Sequence, residues 1–382
     1  MRTIQEELKK IKEKNLYRVL KLNSGIDFSS NDYLKLSEDK NLIKKFKEGI
    51  ELFGLGSTAS RLIRGHREIF EELEKKFSIW VNSEASLFVS NGYMANLGLL
   101  ECLADARSFI LTDRLNHASI IDGIRVSNAK KIYFNHNDIY DLETNLRKIP
   151  KKANIIVVTE SLFSMNGDFC KLDEILRLKK EFQFKFILDE AHSLGIIGEE
   201  GSGFARKKEF EAILNLVDFR VFTCGKSMGL EGAFISTTLD AKEYLINSLR
   251  TLIFSTAPIP AIAYTLQSSI DLIKGKEEER KKILFLSDLL KKELKSIGYS
   301  VLGDTSPILP VLMQKEEYSL FAADLLQKEG FDIRAIRPPT VKESRLRITI
   351  NSSIDEILIK RLIETFKKIK PILKRSGFEF KE

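Results

Sequence analysis

The chain is 382 residues long and carries 61 Lys and Arg against 54 Asp and Glu, a formal net charge of +7; it is 43% hydrophobic and 30% charged, with 21 Gly and 8 Pro. That profile excludes collagen-like, fibrous and disordered chains, and at roughly 150 residues per domain it suggests two or three domains, or one large domain with an appendage. The positive balance leaves nucleic acid, acidic proteins and phosphorylated small molecules open as partners.

The first residues, MRTIQEELKKIKEKNLYRVLKL, mix both charge signs and have no apolar core of the kind a signal peptide needs. Ile4, Leu8 and Ile11 recur at helical spacing and predict an amphipathic first helix. A membrane-surface helix is the functional alternative there, against which the interspersed acids weigh; no apolar stretch approaches the roughly 20 residues of a membrane span, and no membrane partner is expected. Cys102, Cys170 and Cys224 are too few and too scattered for a disulfide framework, which points to a reduced, cytoplasmic compartment.

Further along, Gly54-Leu55-Gly56-Ser57-Thr58-Ala59 matches the G-x-G-x-x-A form of a dinucleotide fingerprint. That motif works only between a strand and a helix, and the preceding NLIKKFKEGIELF reads as a helix, so no nicotinamide site is expected there. Over 108–237, short β-rich runs alternate with helix-like stretches: SFILTD, KKIYFN, NIIVVTE, FKFILDE, FRVFTC and AFISTT. Several are continuous apolar strings, as expected of strands covered on both faces. Spacing of roughly 20 to 35 residues leaves room for a crossover helix each time, predicting an α/β architecture around a mostly parallel central sheet with flanking helices. In such sheets ligands bind beyond the C-terminal ends of the strands. The residues there are polar: Thr112 and Asp113, Glu160, Asp189 to His192, and Thr223 to Ser227.

Two strings invite a nucleic-acid reading, which the context rejects. Gly225-Lys226-Ser227 resembles the end of a P-loop, and Asp189-Glu190-Ala191-His192 spells the DEAH of helicases. A P-loop needs a glycine where this chain has Arg220, and the order of the two strings is inverted, so no nucleic-acid partner is expected. His66, His117, His136 and His192 show no H-x-x-x-H spacing, and no metal site is expected. His66 and His136 read as surface or core residues, and Cys224 as a small packing residue. The charge run at 274–282, KGKEEERKK, continues into ILFLSDLLKKELKSIG and reads as a solvated helix face at a domain boundary. The expected division is an N-terminal helix and arm over 1–40, a large domain over 41–274, and a smaller α+β C-terminal domain over 275–382.

Asp189, His192 and Lys226 remain together at adjacent strand ends. A carboxylate, an imidazole and a lysine suit pyridoxal 5'-phosphate: its aldehyde needs a lysine for a Schiff base, and its pyridine nitrogen needs an acid partner to stay protonated. A desolvated lysine with a lowered pKa can also serve as a base. Lys226 lies in the apolar, glycine-rich VFTCGKSMGLEGAFIS, which is poor surface material.

On these residues the chain resembles the α-oxoamine synthase family of fold-type I pyridoxal phosphate enzymes. The likeness runs from about Asp27 to Ile350 through DFSSNDYL, GSTASRLIRG, SNGYMANLGLL, TDRLNHASIIDG, VTESLFSMNGD, LDEAHSLGIIGEEGSG, TCGKSMG, IFSTAPIP and IRPPTV, in that order. The resemblance implies that Lys226 carries the coenzyme, that Asp189 pairs with its ring nitrogen, that His192 bonds near the ring hydroxyl and that His117 stacks on the ring. It places Ser164 beside the coenzyme and the phosphate on Gly92, Tyr93 and Thr223. Ser255 and Thr256 would reach the phosphate of a partner subunit, which implies a homodimer. Asn31 would help to hold the substrate. Arg347 is the expected clamp for the amino-acid carboxylate, with Arg337 and Thr340 as further contacts; the plain alternative is that Arg345 and Arg347 are edge-strand charges.

Three departures from the family stand out. The loop at 341–344 is shorter than the usual Pro-x-Gly-Thr stretch, Ser202 occupies a customary arginine position, and Phe70 a histidine one. The implied reaction joins L-alanine to a pimeloyl thioester of coenzyme A or an acyl carrier protein, giving 8-amino-7-oxononanoate for biotin synthesis with loss of carbon dioxide. A sister reaction of glycine or serine with another acyl-CoA is the alternative. A basic nucleic-acid-binding module is the reading from a different class.

Overall fold

The structure is a computed structural model that describes residues 3–13 and 16–380. Its strands, in chain order, are β1 Ile26–Asp27, β2 Ala85–Val89, β3 Phe109–Asp113, β4 Lys130–Phe134, β5 Ile155–Glu160, β6 Lys185–Asp189, β7 Phe219–Thr223, β8 Ala233–Thr237, β9 Ile308–Leu312, β10 Phe331–Asp332, β11 Arg334–Ile336 and β12 Arg345–Thr349. All six apolar runs of the middle of the chain are strands of one seven-stranded sheet, ordered β2-β8-β7-β6-β5-β3-β4. Neighbours from β4 to β7 pair parallel, and β8 runs antiparallel to both β7 and β2.

The inner strands bury both faces, which is why several read as continuous apolar strings, whereas the edge strand β4 leaves Lys130, Lys131 and Tyr133 exposed. One face presents Ile110, Ile156, Val158, Ile187 and Val221 to Leu99, Ile120 and Ile124 of the helices Gly92–Leu103 and Ala118–Ser127. The other presents Leu111, Val157, Phe186, Leu188, Phe222 and Phe234 to the second cluster, where the helices Glu68–Val81, Leu172–Phe182 and Pro260–Lys274 pack. Phe77 stacks on Phe234 with ring centroids 3.7 Å apart and meets Phe222 edge-on at 5.2 Å.

The structure corrects the spacing argument in two places. Between β6 and β7 the chain makes short 3-10 turns, Glu199–Gly201, Phe204–Arg206 and Lys208–Leu216, rather than an α-helix. Between β7 and β8 only residues 224–232 intervene, too few for a crossover, so β8 returns antiparallel. β2 lies outside the runs singled out in the sequence: a short apolar stretch between two helices cannot be told from helix by periodicity alone.

A three-stranded antiparallel sheet, ordered β11-β12-β9, packs with the helices Glu277–Ser296, Glu316–Lys328 and Glu356–Arg375. β1 pairs parallel with β10, tying the N-terminal arm to this region. The charge run at 274–282 is not one solvated face. Gly275 and Lys276 break it between two helices, and Arg280 is buried, its Nη1 donating to the Ile273 carbonyl at 2.5 Å. Freed carbonyls at a helix end attract a cation, which accounts for the inward turn. The helix Ile4–Glu13 forms as expected, with Ile4, Leu8 and Ile11 exposed. Among the described residues no helix is long and apolar enough to cross a membrane.

Phe77→Ala is expected to lower the unfolding free energy by about 3–5 kcal/mol, read as a lower urea midpoint, because the aromatic stack has nothing to collapse into the void.

Candidate active site

The parallel strands β3, β5, β6 and β7 end along one edge, and their registers place Glu160 beside Asp189 and Asp189 beside Val221. The loops that follow deliver His117, Ser164, His192 and Lys226. Gly92, Tyr93, Asn96, His117, Glu160, Asp189, His192, Thr223 and Lys226 line one cavity of about 380 Å³. A cavity of about 480 Å³ elsewhere is lined by Arg61, Glu74 and Lys242, but Glu74 is already paired with both cations.

Asp189 is buried, with both oxygens engaged. Asn96 Nδ2 donates to Oδ2 at 2.6 Å, and the Ala191 amide donates to Oδ1 at 2.8 Å. His117 caps the helix Ala118–Ser127; its Nδ1 accepts from the Ser119 amide at 3.2 Å and lies 2.9 Å from Ser119 Oγ. Desolvation lowers the pKa of its imidazole, against the pull of Asp189 and with help from the Lys226 charge. His192 lies deeper. Burial, then the charges of Lys226, Arg347 and His117, drive it well below the usual histidine range, so it is neutral. Tyr33 Oη lies 2.7 Å from His192 Nδ1, and burial pushes the phenol up to about 12, so it keeps its proton. The phenol also donates to Asn31 Oδ1 at 3.3 Å, and a hydroxyl both donates and accepts, so it orients the neutral ring in either histidine tautomer.

Burial pulls the Lys226 pKa down, partly offset by Asp189 and Glu160, while Arg347 adds to the fall. Glu160 has the opposite problem: burial and the Asp189 charge push it up, against the pull of Lys226 and the amides of His117 and Ser164. The His117 amide donates to its Oε1 at 2.6 Å. Glu160 is one of the polar strand-end residues visible in the sequence, but none of the coenzyme contacts that the resemblance implies falls on it. Its place at the end of an apolar run, like that of Asp189, is the sequence signal for it, and the register beside Asp189 supplies the reason.

A second cavity of about 270 Å³ shares His117, His192 and Lys226 with the first and adds Asn31, Ser164 and Arg347. Arg347 is buried, donating from Nε to the Ser164 carbonyl at 2.7 Å and from Nη2 to Asn31 Oδ1 at 2.9 Å. β12 is the central strand of its sheet, so neither arginine is an edge charge. Arg345 bonds the Met165 carbonyl at 3.0 Å and Asn166 Oδ1 at 2.7 Å. The pairings of Arg347 with Arg334 and Pro310 hold the strand in place despite the short loop at 341–344.

Other expected residues lie elsewhere. Arg337 and Thr340 do not line the Arg347 cavity. They line a neighbouring one of about 740 Å³ with Arg18 and Lys21, and Arg18 Nη2 donates to Thr340 Oγ1 at 3.1 Å. The turn after β11 carries them past the clamp, although Arg334 and Ile336 line both cavities. Ser255 and Thr256 line neither site cavity of this chain. The Tyr93 hydroxyl bonds Asp122, and its ring stands edge-on to His117. Glu190 of the DEAH-like string is buried, accepting from the amides of Phe204 at 2.6 Å and Ala205 at 3.1 Å. Cys224 is fully buried and packs as expected. Phe70 is fully buried, stacked on His66, and Ser202 bonds the Glu199 carbonyl at 2.6 Å.

This fold and this arrangement of lysine, carboxylate and histidines define a class, and the chain belongs to the aminotransferase class I and II family, whose profile matches residues 23–366. The chain is 38% identical over 389 residues to the 8-amino-7-oxononanoate synthase of Lysinibacillus sphaericus, covering 98% of each chain. Among solved structures it resembles serine palmitoyltransferase of Sphingomonas wittichii, with TM-score 0.87 and 26% identity over 92% of this chain and 88% of that one. It also resembles 8-amino-7-oxononanoate synthase from Francisella tularensis, with TM-score 0.80 and 27% identity over 93% and 99%.

Asn96→Ala strips a buried carboxylate oxygen of its donor and is expected to cost about 1–3 kcal/mol, measured by urea unfolding of the protein without added ligand.

Proposed function

We propose that this chain catalyses the pyridoxal phosphate-dependent condensation of L-alanine with a pimeloyl thioester, yielding 8-amino-7-oxononanoate, carbon dioxide and the free thiol carrier, for biotin synthesis in the cytoplasm. The observation that carries the chemistry is the convergence of Lys226, Asp189, His117 and His192 on one cavity contiguous with that of Arg347. The substrate pair is supported by near-full-length similarity to 8-amino-7-oxononanoate synthase.

The residues present fit the coenzyme. Gly92 opens the helix Gly92–Leu103, and a Cβ there would stand 3.2 Å from that of Thr223. Glycine therefore keeps a cradle between the helix N-terminus and the Thr223 hydroxyl, and helix N-termini favour phosphate. The amides of Gly92 and Tyr93 with Thr223 would hold the phosphate, Asp189 the ring nitrogen, His192 and Ser164 the ring edge, and His117 its face. When bound, pyridoxal phosphate supplies an aldehyde for amine capture and a protonated ring that accepts electron density from the amino-acid Cα.

The lowered pKa of Lys226 makes its amine available as a nucleophile near neutral pH. Displaced by the incoming amino acid, it borders both cavities and is placed to move the proton at Cα. Arg347 binds the substrate carboxylate through its planar fork, and Asn31 holds that fork in orientation. Arg337 and Thr340 face the acyl thioester in the adjoining cavity. Ser255 and Thr256 complete the phosphate site of a partner subunit in a homodimer. Residues 41–274 form the coenzyme unit, 275–382 the unit bearing the clamp, and 1–40 the arm that adds Asn31.

The backbone likeness to serine palmitoyltransferase supports the same chemistry on serine with a long acyl-CoA, and one assay separates the two readings. Offered alanine, glycine and serine against several acyl thioesters, the enzyme is expected to release thiol fastest with alanine and the pimeloyl thioester; a serine or glycine preference overturns the substrate assignment. The purified protein is expected to be yellow and bleached by borohydride, whereas Lys226→Ala binds pyridoxal phosphate without a borohydride-reducible link. A wild-type protein that takes up no pyridoxal phosphate sinks the coenzyme reading. Arg347→Lys is expected to raise KM for alanine about ten- to a hundredfold, since an ammonium cannot bind a carboxylate bidentately.

A further inference from the structure

His136 follows β4 and lies outside both site cavities. It is half-buried, and both ring nitrogens meet carboxylates. Nδ1 lies 3.0 and 3.1 Å from the two oxygens of Asp113, and Nε2 lies 2.7 Å from Asp168 Oδ2. Carboxylates only accept, so both nitrogens must carry hydrogen and the ring is an imidazolium.

The two carboxylates belong to the two loops that build the site. Asp113 ends β3, and its Oδ1 accepts from the Leu115 amide at 2.8 Å, turning the chain toward His117. Asp168 lies in a small hairpin over 161–169, closed by the Leu162–Phe169 bridge and by the Phe163 amide on the Asp168 carbonyl at 3.0 Å. The tip of that hairpin supplies the Ser164 carbonyl to Arg347 and the Met165 carbonyl to Arg345. Asn137 reinforces the joint, its amide nitrogen donating to Asp168 Oδ2 at 3.2 Å and to the Phe169 carbonyl at 3.0 Å. Asp168 Oδ1 is buried without a hydrogen-bond partner, so this carboxylate depends on bonds to its other oxygen.

We propose that His136 is a positioning residue, a strut between the His117 loop and the Ser164 hairpin that holds the seat of Arg347 for the substrate carboxylate. The inference rests on the amino-acid condensation proposed above. The groups facing the strut are Asp113 and Asp168 at its nitrogens, the Phe163 ring edge-on at 4.4 Å, and, around the carboxylates, the buried Cys170 thiol, Arg345 and Asp304. Burial opposes the imidazolium, but the two carboxylates outweigh it and push the pKa from 6.5 up to about 9. The raised value means the joint is intact below pH 6.5 and is lost as pH rises through about 9.

The test uses the holoenzyme of wild type, His136→Gln and Asp168→Asn. In ¹⁵N-histidine spectra the signals absent from His136→Gln identify the residue, and they are expected to keep both ring N–H groups at pH 8 and to titrate near 9. Hydrogen exchange over 161–169 is expected to quicken in both variants while β5 stays protected. KM for the amino acid should rise about tenfold with kcat changed less than about threefold, and the double variant should be no worse than the poorer single one. Should His136→Gln fail to fold, Asp168→Asn carries the same comparison. A His136 that titrates near pH 6.5, or a folded His136→Gln with unchanged exchange and unchanged KM, overturns the strut. A wild-type enzyme that releases thiol with no amino acid overturns the reaction instead, and the spectra and exchange still decide the strut.

Discussion

Two carboxyl groups, Glu160 and Asp189, end neighbouring parallel strands side by side, and both are buried. Like charges so close cannot both ionise cheaply in a low dielectric, and the rest of the site is arranged around that repulsion. Asn96 and the Ala191 amide hold Asp189, the amides of His117 and Ser164 hold Glu160, and Lys226 supplies the compensating cation. Titration in this cluster therefore belongs to the group rather than to any one residue. Burial depresses both histidines, and the charge of Lys226 adds to the fall, leaving neutral, oriented imidazoles where charged ones would repel the lysine.

The site also depends on a junction between the two sheets. Arg347 reaches it from the three-stranded sheet, and its hydrogen bonds run to Asn31 on the arm and to the Ser164 carbonyl on the hairpin after β5. Three stretches distant in sequence thus converge on one guanidinium. A buried arginine without such partners would be costly, so the contacts that seat it also hold the arm, the hairpin and the small sheet together. His136 stands behind that hairpin and couples it to the loop of His117.

The likeness to enzymes with different substrates fits this division of labour. Backbone agreement is high with serine palmitoyltransferase, whereas near-full-length identity is higher with 8-amino-7-oxononanoate synthase. A fold by itself does not fix a substrate, and the side chains grafted onto it decide which molecules it takes.

Much of this was legible in the chain alone. Composition and spacing located six strands of the large sheet: the inner ones as apolar runs covered on both faces, and β4 as an edge run with exposed Lys130, Lys131 and Tyr133. The parallel-sheet rule then pointed to strand ends, and chemistry at those ends singled out Lys226, Asp189 and His192. What sequence could not supply was anything set by contacts between distant segments: the antiparallel return of β8, the outer place of β2, the inward turn of Arg280, the seat of Arg347 on Ser164 and Asn31, the displacement of Arg337 and Thr340 to a neighbouring cavity, and the pairing of His136 with two carboxylates. Local patterns record which face of a segment avoids water, and that is a property of the segment itself. Register, partner and protonation state depend on which other segments arrive beside it, and only the folded chain decides that.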